Sequence, residues 1–142
     1  MEEFIQQWLP LIWTSVIETF QMVSISLVFS TIIGIPLGIF VVLTRPGESL
    51  ENKFVYQTLN LFINIIRSIP FIILLFFILP FTKFIVGTTI GVRGVIVPLV
   101  LYTAPYIARL MESSLLEVDR GVIEAYRAMG VKTRQIIWNV ML

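Results

Sequence analysis

The chain has 142 residues, of which 57% are hydrophobic and 13% charged, with ten basic residues against nine acidic and neither His nor Cys. A water-facing globular surface ordinarily carries roughly 25% charged residues, and a disordered or nucleic-acid-binding chain needs low hydrophobicity or a large basic excess, so the expected solvent is lipid and no nucleic acid is expected as a partner. Without His or Cys the chain cannot hold Ser-His-Asp or Cys-His nucleophilic machinery, a disulfide, or a zinc site built on N or S ligands.

In chain order, Phe4, Trp8, Leu11 and Ile12 fall at helical spacing with Trp13 nearby. This predicts a short outer-surface helix with its tryptophans at headgroup level, the alternative being a frayed terminus. From Thr19 to Thr44, 26 residues carry no charge, which as helix is roughly 39 Å and enough to span. Acidic Glu2, Glu3 and Glu18 precede this stretch, which is also too long for a signal peptide, so it is expected to be retained. Inside it, Gly34-Ile35-Pro36-Leu37-Gly38 has the spacing that permits close helix contact, read as packing within the subunit, and Pro36 marks a kink. Pro46-Gly47 predicts a tight inner turn before Glu48, Glu51 and Lys53.

The second apolar region, about 54–81, is interrupted by Arg67. Residues 68–82 alone would reach only about 22 Å, so spanning requires a helix that includes Arg67 and the turns before it. The third region, Gly94 to Ala108, needs Leu110 and Met111 as well, with Arg109 snorkelling to the headgroups and Pro98 and Pro105 as kinks. Phe71, Phe76, Phe77 and Phe81 are read as lipid contact or packing. With the N-terminus outside, segments 44–53 and 109–142 place seven basic residues inside against Lys83 and Arg93 outside, the orientation that the positive-inside rule favours. The fold expected is all-α and polytopic, with about three transmembrane helices. There is no internal repeat and no low-complexity tract.

The inner segment after the third span, about 119–134, is the most informative. Asp119 can cap a helix N-terminus and Gly130 suits the left-handed position that ends one. Between them Val122, Ile123, Tyr126 and Met129 form an apolar face, with Glu124 and Arg127 on another. Thr133 is expected to cap a new helix from Arg134, with Ile136, Ile137, Val140 and Met141 apolar. A helix of two or three turns is marginal in water and needs something to pack on. Two coverings are open: the protein's own cytoplasmic helix ends, or a cytosolic partner.

The run Glu124-Ala125-Tyr126-Arg127-Ala128-Met129-Gly130, then nine residues, then Val140-Met141-Leu142 resembles the loop motif of bacterial ABC importer permeases: Glu-Ala-Ala, three residues, Gly, nine residues, Ile, any residue, Leu-Pro. Tyr126 stands at the second Ala and Val140 at the Ile, and the closing Pro falls one position past Leu142. Upstream, Arg67-Ser68-Ile69-Pro70-Phe71-Ile72-Ile73-Leu74-Leu75, Pro80-Phe81-Thr82, Ile85-Val86-Gly87-Thr88, Ile96-Val97-Pro98-Leu99 and Ala104-Pro105-Tyr106-Ile107-Ala108-Arg109 resemble the methionine-import permease branch. The resemblance covers nearly the whole chain.

It implies a transmembrane permease domain over 1–142, cut before the fourth of about five helices, as an N-terminal fragment. It further implies that Val122 to Gly130 form the coupling helix that docks in a groove of an ATP-binding subunit. The implied assembly has two permease copies in the inner membrane of a bacterium, one ATPase per copy, and an extracytoplasmic substrate-binding protein. ATP and Mg would be bound by the ATPase, because the chain has no Gly-x-x-x-x-Gly-Lys-Ser/Thr loop. The function expected is inward translocation of methionine. A permease for another amino acid or small solute, or a non-transporting scaffold that recruits a cytosolic protein, remains as an alternative.

Arg67, Ser68 and Pro70 form the second candidate site. A mid-span charge should face a polar cavity or a partner. Either Arg67 or Ser68 satisfies backbone carbonyls that Pro70 frees about one turn back, or Arg67 lies beside the translocation pathway. No metal cluster is expected.

Overall fold

The computed structural model describes residues 1–141, with Leu142 and the side chain of Met141 outside the described residues. It is all-helical, with no strand among them. Helix α1 runs Glu2–Leu43, α2 Lys53–Ser68, α3 Phe71–Phe77, α4 Leu79–Val86, α5 Gly91–Glu117, α6 Arg120–Ala128 and α7 Thr133–Ile136, followed by a π-helical turn over Ile137–Met141. Helices α1 and α5 are each long and apolar enough to cross a membrane, and α2 with α3 makes a third span if the pair is one broken crossing.

The expected surface helix near the N-terminus is not a separate element. It is continuous with the first span in a single helix of 42 residues, roughly 63 Å long at about 1.5 Å per residue and so about twice the thickness of a hydrocarbon core. Nothing between the two stretches breaks the ladder: there is no Gly, and the hydroxyls of Thr14, Ser15 and Thr19 donate to carbonyls four residues back at 2.9, 2.9 and 2.7 Å. Thr31 does the same at 2.7 Å. Such back-bonding satisfies these four hydroxyl donors within an apolar helix. The helix also stays unbroken through Pro36, as α5 does through Pro98 and Pro105.

The second apolar region departs from expectation more sharply. No helix continues through Arg67 into the following apolar run, because α2 stops at Ser68 and α3 starts at Phe71. Pro70 lacks the N–H that would extend α2 and sits at φ −56°, ψ 136°, outside the helical region. Its carbonyl accepts from Ile73 and Leu74 N–H at 3.0 and 3.2 Å and so opens α3.

The chain forms two compact units, divided within α1 and α5. The first comprises residues 1–31 and 69–104. Its interior includes Ser26, Ser30, Leu74, Thr82 and Ala104, and Phe71 meets Tyr102 edge-on at 5.4 Å between ring centroids. Phe76, Phe77 and Phe81 are exposed, as suits lipid contact. Helix α4 ends on Gly87, whose left-handed φ of 78° turns the chain back.

The second unit comprises residues 32–68 and 105–142. Val41, Ile63 and Ala108 are its buried centre, with Leu37, Tyr56 and Leu59 packed around them. The close approach is at Gly38: a Cβ there would lie 2.6 Å from both the Ala108 carbonyl oxygen and the Met111 Cβ. The small residue therefore serves packing within the subunit, as its spacing indicated. The turn after α1 is also built as expected, with Gly47 at φ 86°. The Glu51 carboxylate accepts from Gly47 N–H at 2.9 Å, and Asn52 Oδ1 accepts from Val55 N–H at 3.1 Å to cap α2.

Candidate functional site: a capped inner helix and a charged seam

Helix α6 is closed at both ends by local chemistry. Asp119, at φ −58°, ψ 125°, accepts from Gly121 N–H at 2.7 Å through its carboxylate. Its carbonyl takes the next two N–H groups, from Val122 at 3.1 Å and Ile123 at 3.3 Å. At the other end Gly130 adopts φ 75°, its N–H donates to Arg127 O at 3.0 Å, and Val131 N–H donates to Tyr126 O at 3.1 Å. This pair of bonds is a Schellman closure, which needs a left-handed residue at the Gly130 position. Both sequence expectations for the ends of this helix hold.

None of its residues is buried. The apolar face read from the sequence divides. Ile123 and Tyr126 are half-buried, and Ile123 shares a cleft with Leu115, Ile136 and Ile137 of its own unit. Val122 and Met129 stay 43% and 67% exposed, and Glu124, Ala125 and Ala128 are exposed beside them. Arg127 does not pair with Glu124; it reaches Glu48 at 3.1 Å and the Ser49 hydroxyl at 3.4 Å, tying α6 to the turn after α1. Glu124 makes no ion pair among the described residues.

The start of α7 corrects the sequence reading by one residue. Lys132 rather than Thr133 is the cap position, and Thr133 is the first helical residue. The Thr133 hydroxyl is within 3.3 Å of the Ser49 hydroxyl, so it is engaged across to another loop. Lys132 N–H donates instead to the Gln135 side-chain oxygen at 3.3 Å. Ile136 is buried.

The second candidate region is a polar seam in the second unit. Arg109, expected from the sequence to reach the headgroups, is held by partners within the protein. Its guanidinium donates to Asn64 Oδ1 at 2.9 Å and pairs with the Glu112 carboxylate, and the two charged side chains are only 23% and 7% exposed. The oppositely charged partner stands one turn along the same helix, at the spacing that brings side chains together. Sequence reading overlooked Glu112 and Asn64, although the three-residue spacing of Arg109 and Glu112 carried the signal for the ion pair.

Arg67 is half-buried, with its guanidinium carbon 4.7 Å from the Tyr106 ring centroid. It has no carboxylate partner among the described residues, and its Nε is buried without a hydrogen bond. A mid-membrane Arg costs about 2.5 to 3.5 kcal/mol on insertion scales. The ring contact returns about 0.5 to 2 kcal/mol and the C-terminal end of α2 about 0.3 to 1 kcal/mol. The charge is thus offset only in part, and the buried Nε–H remains unmet, a further deficit of about 1 to 3 kcal/mol. The task of satisfying backbone falls to Ser68, whose hydroxyl donates to Asn64 O at 2.7 Å. Pro70 acts as the helix break. Ser26, Ser30 and Thr82 are further buried hydroxyls without a hydrogen-bond partner.

Residues 34–142 match the family model described as binding-protein-dependent transport system inner membrane component. The chain is 47% identical over 136 residues to the D-methionine transport system permease protein MetI of Escherichia coli (strain K12), covering 94% of this chain and 63% of that protein. It is 49% identical over 125 residues to the corresponding protein of Salmonella typhi, covering 88% and 58%. Among solved structures it resembles a chain of the MetNI methionine ABC transporter in inward-facing conformation, with TM-score 0.85 and 45% identity over 94% of this chain and 63% of that one. The chain therefore spans about 63% of the length of the first of these relatives.

Proposed function

The chain belongs to the family of binding-protein-dependent transport system inner membrane components, and from that premise we propose that it is part of a permease that carries methionine inward while a partner hydrolyses ATP. The observation that carries the reading is the 47% identity to a permease named for D-methionine transport. It is supported locally by α6, a helix of nine residues with Asp119 closing one end, Gly130 just past the other and its Val122–Met129 side uncovered.

In this proposal α6 is a rigid contact that docks into an ATP-binding subunit. Val122 and Met129 bury apolar surface on the partner, Ala125 and Ala128 allow close approach, and the unpaired Glu124 carboxylate meets a basic or N–H group there. Ile123 and the Arg127–Glu48 pair transmit displacement to the turn after α1. Motion of the ATPases then shifts the population between outward- and inward-open states. Two permease copies form the pathway, an extracytoplasmic protein delivers the substrate, and ATP and Mg stay on the ATPase. The N-terminus lies outside, supported by seven basic residues in the inner segments against two in the outer ones.

The test uses the complete permease with its ATPase and binding protein in lipid vesicles, measuring uptake of labelled methionine against a panel of other amino acids. ATP-dependent methionine uptake is expected, and uptake confined to another solute refutes the substrate assignment. A Cys at Ala125 is unique in this cysteine-free chain. Its cross-linking to a nucleotide-binding ATPase supports coupling, and capture of any other protein in its place overturns it.

A further inference from the structure

We propose that Arg67 is a carboxylate-binding residue of the transport pathway, receiving the α-carboxylate of the amino acid as it passes; this rests on the reading above that the cargo is an amino acid. The guanidinium carbon of Arg67 lies over the Tyr106 ring, 4.7 Å from the centroid, and a contact with a ring face takes up none of the guanidinium's N–H donors in a conventional hydrogen bond. Within the planar fork of those donors Nε is buried and has no acceptor. Nε–H with a neighbouring Nη–H is the edge that grips a carboxylate through two parallel hydrogen bonds.

The protein supplies no such acceptor among the described residues. The buried carboxylate in the same unit, Glu112, is committed to Arg109, and the remaining ion pair joins Arg127 to Glu48. Arg67 is therefore a cation held without a counter-ion. It also directly precedes the helix break at Ile69-Pro70, where Ser68 and Pro70 are exposed. Non-helical backbone at membrane depth is tolerated where it is covered by protein or lines a water-filled cavity; in this proposal the break lines the pathway of the complete transporter, and the carboxylate reaches the fork from that side. An anchoring ring with no fixed acid lets the carboxylate leave again, which passage requires.

The experiment uses the complete transporter with its ATPase and binding protein in vesicles. Arg67→Gln is expected to lower methionine carried per ATP hydrolysed by at least about tenfold, the scale of a lost charge-assisted pair, and Arg67→Lys to lower it less. A second measurement keeps Arg67 and introduces Ser68→Cys, a unique thiol in this chain. L-Methionine is expected to slow its alkylation by a water-soluble maleimide, methioninamide, which lacks the carboxylate, is not, and adding Arg67→Gln is expected to abolish the protection. Where Arg67→Gln does not assemble, the contrast between the two ligands on Ser68→Cys alone decides. Wild-type yield in Arg67→Gln, equal protection by both ligands, no protection, or cross-linking of the thiol to a second permease copy would overturn the proposal. If the wild-type complex carries a different amino acid, the methionine assignment fails by itself, and the same contrast is read with that amino acid and its amide.

Discussion

Removing the Asp119 carboxylate should loosen α6 by an amount the structure fixes. The first N–H groups of the helix depend on this residue: its carboxylate holds Gly121 N–H at 2.7 Å and its carbonyl holds those of Val122 and Ile123. Asp119→Ala deletes the side-chain bond, worth about 1 kcal/mol at an N-cap. That is a factor of about five in the ratio of closed to open helix. Little else compensates. With nine residues, none of them buried, α6 is shorter than the roughly 12 to 15 that are marginal even in isolation, and the exposed Arg127–Glu48 pair adds only about 0.2 to 1 kcal/mol. Hydrogen exchange at the Val122 and Ile123 amides of the complete protein should therefore accelerate about fivefold in Asp119→Ala. Asn caps as well as Asp, so Asp119→Asn should exchange like wild type. Uptake per ATP hydrolysed should fall in the Ala variant and survive in the Asn variant. Wild-type exchange in Asp119→Ala would refute the capping argument, and equal acceleration in both variants would show that charge rather than the cap was lost.

Three further outcomes are expected. Gly38→Val should lower the thermal stability of the purified protein, because the 2.6 Å obstruction at Ala108 is a backbone oxygen that no facing side-chain change can move; overpacking of this kind costs about 1 to 3 kcal/mol, and unchanged stability would contradict the drawn approach. Arg109→Met strands the buried Glu112 carboxylate and should cost about 3 to 5 kcal/mol, with Arg109→Met/Glu112→Gln recovering most of it; a double variant no more stable than the single refutes a buried pair. A double-mutant cycle on Glu48 and Arg127 should give a coupling of about 0.2 to 1 kcal/mol that shrinks as salt is raised, and a salt-independent coupling would show that the pair is not solvent-exposed.

The sequence by itself determined what is local. The uncharged run from Thr19 to Thr44 fixes a span because lipid offers no partner to a charge or an open backbone. Asp119 and Gly130 fix the ends of α6 because a cap and a left-handed turn are made by residues a few positions apart. In the second apolar region the sequence reading placed the interruption at Arg67 and let one helix run on past it, whereas the break is at Pro70, whose missing N–H and non-helical backbone separate α2 from α3. Partners distant in the chain were beyond such reading: Asn64 for Arg109, Tyr106 for Arg67, Glu48 for Arg127 and Ala108 for Gly38. The division of the α6 apolar face, with Ile123 toward its own unit and Val122 and Met129 outward, was hidden for the same reason. Periodicity tells which residues share a side of a helix, whereas burial, ion pairing and steric contact depend on which other helix stands against that side.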